Sequence, residues 1–198
     1  IPDIPKQLKS AGYTTISNGK IYHNVNDNTN SWSEIHRSPD FRIYLDEATK
    51  RMYRDKDAAY EAADVDDDAY PSGKMTNKII NDIRKAHKSN SPFFITAGYT
   101  KPHLPFNAPK KYWDMYDREL INLANNHYAP KGAPSQSLHK WHELRSGYGG
   151  MPPDGPLSDN LAKILIHGYY ACVSYTDKLI GDLLDELERL NIHNDTIV

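Results

Sequence analysis

The chain has 198 residues, with 24 basic and 26 acidic side chains for a net charge of −2, and a mean hydropathy of −0.74. That length suffices for one domain with a sizeable core, and the near-balanced charge gives no electrostatic footprint for nucleic acid. No run of about 18 apolar residues is present, and the single cysteine, Cys172, excludes a disulfide within the chain.

Residues 3–12 read as an amphipathic helix, with Ile4, Leu8 and Ala11 on one face and Gly12 as its stop. Residues 13–18 are β-prone and end at Gly19, after which Lys20 and His23 follow at once. Residues 24–74 read as mostly irregular, and the alternating asparagines Asn24, Asn26, Asn28 and Asn30 mark a polar, turn-rich loop. Trp32 is the large apolar residue in that loop, and it either packs the loop onto the body or lines a groove, packing being the favoured reading. The acidic run Asp64–Asp68 lacks the glycine and the terminal glutamate of an EF-hand loop, so it reads as a solvated turn. Residues 75–88 then show helical spacing through Ile79, Ile80, Ile83 and Ala86.

Phe93, Phe94, Ile95 and Ala97, closed by Gly98, read as a short strand covered on both faces. Lys101 and His103 lie just past its end, with Pro102 and Pro105 excluding a helix there. Residues 107–157 are rich in Pro, Gly and Asn, with a short helix expected at 110–116. His139, Trp141, His142 and Arg145 read either as a packed surface loop, the favoured reading, or as contacts to an anionic sugar. Ser158 is the expected N-cap of a long helix whose apolar face runs through Leu161, Leu165, Gly168, Cys172, Leu179, Leu183 and Leu187, with a break possible at Gly168. Cys172 and His167 read as structural residues of that helix, and a last strand is expected from about Thr196.

The order strand, helix, strand favours a parallel sheet. Two of its strands each deliver a lysine and a histidine at the exit, and ligands of open α/β sheets bind outside the strands' C-terminal ends. Lysine offers a point charge with three donors, and histidine can donate a hydrogen bond or a proton. Together these four side chains suit an oxyanion such as sulfate or phosphate.

The segment Gly19-Lys20-x-x-His23, followed by Pro92-Phe-Phe-x-x-x-Gly98-Tyr-x-Lys101-Pro-His103-x-Pro-Phe106, resembles the type I sulfatases, specifically their iduronate-2-sulfatase-like branch. Ser31-Trp32-Ser33, the run Ala108–Trp113 and Gly168–Asp177 add to the likeness, which covers nearly the whole chain in order. A common sulfatase variant has its histidine two residues after the lysine. The spacing of three seen here is that of the iduronate branch.

The resemblance implies an α/β fold of the alkaline-phosphatase/sulfatase kind, a mostly parallel sheet flanked by helices and incomplete at both ends. It makes residues 1–198 the central part of a single catalytic domain. It implies Lys20, His23 and His103 as catalytic residues and, less directly, Lys101 as a nearby substrate-binding charge. The nucleophile of such enzymes is a formylglycine made from a Cys/Ser-x-Pro-x-Arg segment, which this sequence lacks. Their Ca2+ is held by Asp pairs that would also lie outside residues 1–198. The isolated chain is therefore expected to show no sulfatase turnover and no tight calcium binding, and measurable turnover by it would refute this.

The implied partner is a sulfated carbohydrate, with no nucleic acid and no membrane span, and the implied location is periplasmic, secreted or lysosomal. The residues leave two alternatives open: a phosphodiesterase or phosphonate hydrolase of the same superfamily, or a non-catalytic glycan-binding relative.

Overall fold

A parallel three-stranded sheet, ordered β2-β1-β4, carries both strand exits singled out above. The structure is a computed structural model that describes residues 3–23, 28–37, 42–126, 128–137 and 142–198. The chain forms two compact units, one of Ile1–Ile43, Asp66–Lys101 and Ser174–Val198, the other of Tyr44–Val65 and Pro102–Val173.

In the first unit, helix α1 (Ile4–Ser10) starts at Asp3, whose carboxylate accepts from the Lys6 N–H at 2.9 Å. Its expected apolar face is thinner than the spacing suggested: Ile4 is exposed and Pro5 is the buried residue. Strand β1 (Thr14–Asn18) follows and is the central strand, which explains why Thr15 to Asn18 are all buried. Strand β2 (Glu34–His36) pairs with it in parallel, Ile16 opposite Glu34 and Asn18 opposite His36. Part of the region read as irregular is therefore sheet. Its strand holds one apolar residue, Ile35, too little for a period to show.

Helix α3 (Pro71–Lys88) starts a turn earlier than expected, with proline in its first turn, where a missing N–H costs nothing. It returns the chain to β4 (Phe93–Ile95), paired with β1 in parallel, Thr14 opposite Phe93 and Ile16 opposite Ile95. The expectation of a strand covered on both faces is corrected. Phe93, Phe94 and Ile95 are half-buried and Ala97 is exposed, because β4 is an edge of this sheet. Met75, Ile79 and Ile83 of α3 and Leu187 form the unit's core, joined by Ile95, Tyr99, Leu183 and Ile192. Burial of each large aliphatic side chain contributes about 2 kcal/mol. Trp32 is buried and stacks on Phe94, with ring centroids 6.0 Å apart, so it packs the loop onto the sheet.

The acidic run leads into α3 as a short 3-10 turn, Asp67–Ala69. The Tyr175 hydroxyl donates to the Asp67 carbonyl at 2.6 Å and accepts from the Gly73 N–H at 3.1 Å, which pins that turn. Thr196 is extended, at φ −119° and ψ 125°, while Ile197 and Val198 are exposed. The expected last strand thus has no ladder partner among the described residues.

The second unit holds the short helices α2 (Glu47–Lys50) and α4 (Lys110–Trp113) and a parallel pair of two-residue strands, β3 (Tyr60–Glu61) and β5 (Phe106–Asn107). The buried Glu61 carboxylate accepts from the Leu45 and Asp46 N–H groups at 2.9 Å. Ala59, Tyr148 and Leu165 form the core, with Leu104, Phe106, Leu144 and Leu161 packed around them. A third short helix is α5 (Glu143–Gly147).

Helix α6 (Asp159–Arg189) is 31 residues long and contributes to both units. Ser158 caps it, accepting from the Leu161 N–H at 3.3 Å. The helix has no break at Gly168. A Cβ there would lie 2.7 Å from Trp113 and 2.9 Å from Phe106, so the glycine serves close packing. Cys172 is fully buried, in keeping with a core role.

Candidate active site

The parallel ladder continues past the ends of the strands, and this fixes where the charges stand. The Thr96 N–H donates to Ile16 and the Gly98 N–H to Asn18, at 3.0 and 2.8 Å, and the Lys20 N–H then donates to Gly98 at 2.8 Å. The backbone of Lys20 is thereby fastened to Gly98, three residues before Lys101. Both strand exits leave the same edge of the sheet side by side.

Such close passage requires glycine. Gly19 has φ +77°, and a Cβ on it would overlap the Gly98 carbonyl oxygen and the Met75 sulfur. A Cβ on Gly98 would lie 2.5 Å from the Lys20 carbonyl oxygen.

The two lysines differ in setting. Lys20 is exposed, whereas Lys101 is only 8% exposed, an unusual degree of burial for a lysine. His23 is exposed and closes the loop after β1. That loop is tied back to α1 by Asp3, whose carboxylate accepts from the Tyr22 hydroxyl at 2.8 Å, from Asn28 at 2.7 Å and from Ser31 at 3.1 Å. Burial alone would raise the Asp3 carboxyl. The hydrogen bonds from Tyr22, the Lys6 N–H, Ser31 and Asn28 outweigh it and hold the group well below the usual carboxylate range.

Beneath the exits lies a polar chain. Asn18 donates to Asp82 at 3.2 Å, Asp82 accepts from Lys78 at 2.7 Å, and Lys78 pairs with Glu34 at 2.7 Å. The Lys78 hydrogen bond holds the Glu34 carboxyl low. Burial pulls the Lys78 ammonium down, but its bonds to Asp82 and Glu34 win and raise it.

One neighbour of the exits was missed by the sequence reading. His36 ends β2, and its carbonyl accepts from the Gly19 N–H at 2.9 Å. It is the last residue of a three-residue strand, too short to mark the position in the sequence.

His103 belongs to the second unit. Its Nδ1 lies 2.7 Å from the Leu104 carbonyl, which accepts only, so Nδ1 carries a proton. Its Nε2 lies 3.3 Å from Glu143 Oε1 on α5. The structure therefore brings Lys20, His23 and Lys101 to one unit and describes His103 with Glu143 in the other.

Arg145 and His167 make hydrogen bonds within the fold. The Arg145 guanidinium donates to the carbonyls of Pro152 at 2.5 Å and of Asp154 at 3.3 Å, which holds the proline-rich loop. His167 is buried, with Nε2 donating to the Trp113 carbonyl at 2.7 Å and Nδ1 accepting from Arg118 Nε at 3.2 Å. His139 and Trp141 lie outside the described residues. Among the described residues no three His, Cys, Asp or Glu side chains are grouped to hold a metal ion. The described residues, the acidic run Asp64–Asp68 among them, thus offer no grouped ligands for the implied Ca2+.

A parallel sheet with helices packed on it is an α/β fold of the alkaline-phosphatase-like kind. A phosphonate monoester hydrolase from Silicibacter pomeroyi shares this fold at a TM-score of 0.65 and 17% identity, over 98% of this chain and 45% of that one. A sequence model of the Sulfatase family matches residues 1–198, and the chain belongs to that family. It is 31% identical to human iduronate 2-sulfatase over 98% of its length, and 24% identical to a sulfatase of Formosa agariphila, also over 98%. It spans 38% and 40% of the length of those two relatives.

Proposed function

We propose that the whole protein hydrolyses sulfate esters of a sulfated sugar, and that residues 1–198 form the central part of one catalytic domain. The observation that carries this reading is the Lys20-to-Gly98 backbone bond, which sets the exits bearing Lys20 and Lys101 side by side in a chain of the sulfatase family.

Hydrolysis needs a nucleophile at sulfur, positive charge on the sulfate oxygens and a proton for the leaving alcohol. Lys20 and Lys101 supply the charge. His23, on the loop anchored by Asp3, orients or deprotonates the nucleophile. Nε2 of His103, whose other nitrogen is committed to Leu104, binds an oxygen or delivers the proton. A formylglycine outside residues 1–198 would supply the attacking oxygen, and Ca2+ held by residues outside this stretch would supply further charge. The likeness to iduronate 2-sulfatase supports a uronate or a related glycan unit as substrate, and a periplasmic, secreted or lysosomal setting.

The test is an assay of the whole protein on 4-nitrophenyl sulfate and on a phenyl phosphonate ester, with Lys20→Ala alongside. The expected result is sulfate turnover that exceeds phosphonate turnover and falls about 100-fold in the variant. Faster phosphonate turnover would move the reaction to phosphorus. No turnover of either would leave an anion-binding cluster.

A further inference from the structure

We propose that Glu143 is the positioning residue of His103, keeping a proton on Nε2 for the leaving alcohol; this rests on the sulfate-ester reading above. Nδ1 faces the Leu104 carbonyl at 2.7 Å, and Nε2 faces the Glu143 carboxylate at 3.3 Å. A carbonyl and an ionised carboxylate both accept and neither donates. A proton on Nε2 would satisfy the Glu143 contact, and a proton on the reacting nitrogen is what a general acid donates.

The ring is also fixed by these contacts. The Leu104 carbonyl lies one residue along the chain and holds Nδ1, so Nε2 is the nitrogen turned toward Glu143. Glu143 is the first residue of α5, and Leu144 beside it packs against the core residues Ala59, Tyr148 and Leu165, which anchors the short helix. His103 and Glu143 remain 39% and 35% exposed, so an incoming oxygen can reach the proton between them.

In the reaction the proton moves from Nε2 to the ester oxygen. The S–O bond breaks with its electron pair on that oxygen, and the sulfuryl group passes to the attacking oxygen nucleophile. The imidazole is left neutral beside an unchanged carboxylate. A carboxylate beside a histidine ring helps to fix its orientation.

The experiment compares the whole protein with Glu143→Gln and Glu143→Asp on two sulfate esters, one with an alkyl alcohol as leaving group and one with 4-nitrophenol. An alkoxide needs the proton far more than a nitrophenolate does. For Glu143→Gln the expected loss in kcat is about 10- to 100-fold on the alkyl ester and several-fold smaller on the aryl ester, with KM little changed and Glu143→Asp recovering most of the rate. Equal losses on both esters, or none, overturn the proposal. A second reading needs no turnover. In protein labelled with 15N-histidine, the Nε2 resonance of His103 should move toward the bare-nitrogen range in Glu143→Gln while Nδ1 stays put. An unmoved Nε2 overturns the proposal. Should the parent protein cleave no sulfate ester, the functional reading fails on its own, and the Nε2 resonance still decides the role of Glu143.

Discussion

Lys20 and Lys101 share a charge but not an environment, and their replacement should separate binding from folding. Lys20 is exposed, so Lys20→Ala should lower kcat/KM about 100-fold while changing stability by no more than about 0.5 kcal/mol. Lys101 is buried, so Lys101→Ala should lower both, costing more than about 1 kcal/mol. Kinetics and urea unfolding on the same preparations check the contrast. Gly98→Ala brings a methyl group against the Lys20 backbone and should cost about 1–3 kcal/mol, read as a lower urea midpoint.

At this scale the sequence showed position, not role, wherever a residue type came with a motif. Lys20, His23 and His103 each followed a strand and a glycine or proline, and the structure puts Lys20 and Lys101 at neighbouring exits. Glu143 and His36 were not legible. Glu143 matters only because α5 meets the loop after Lys101, 40 residues earlier in the chain, and no local pattern encodes a contact across that gap. Asp3 was hidden for the same reason, since an ordinary helix cap also collects Tyr22, Asn28 and Ser31.

Among the elements, α6 was the most readable and β2 the least. The face of α6 could be traced because 31 residues give the helical period room to repeat. Strand β2 has three residues, and pairing with β1 rather than its own composition makes it a strand. The same dependence explains β4, whose apolar run suggested full cover but whose place is at the sheet edge.

Two changes probe how α6 is seated in each unit. Gly168→Val should destabilise by about 2–3 kcal/mol by forcing Trp113 and Phe106 aside, visible as a lower thermal midpoint. Tyr175→Phe removes a hydroxyl that both donates to Asp67 and accepts from Gly73, and should cost about 1–3 kcal/mol. Hydrogen exchange should then speed up at the first turn of α3 and spare the far end of the helix.

For the molecule as a whole, the clearest dependence on pH comes from Glu186. Its carboxylate takes a forked contact from Arg84 on α3, at 2.8 and 2.9 Å, and a second contact from Arg189 on its own helix. The Arg189 and Arg84 hydrogen bonds pull its pKa from 4.5 down to about 2. A carboxyl lowered on folding stabilises the folded state above its unfolded value, and that stabilisation fades as pH falls through the folded one. Glu186→Gln should therefore be less stable than the parent at neutral pH, by about 1 kcal/mol given the half-exposed arginines. The gap should narrow between pH 4.5 and about 2, as urea midpoints across that range would show.

The Lys20-to-Gly98 bond also bears on how such a chain can change over evolutionary time. The spacing of the two exits is written in backbone hydrogen bonds, so it counts residues rather than reading side chains. Inserting or deleting one residue inside 14–20 would carry Lys20 off its partner and turn every side chain of β1 to the opposite face. Natural length variation should therefore collect in the connections between 24 and 74 and between 107 and 157, leaving the frame of the strand exits in step.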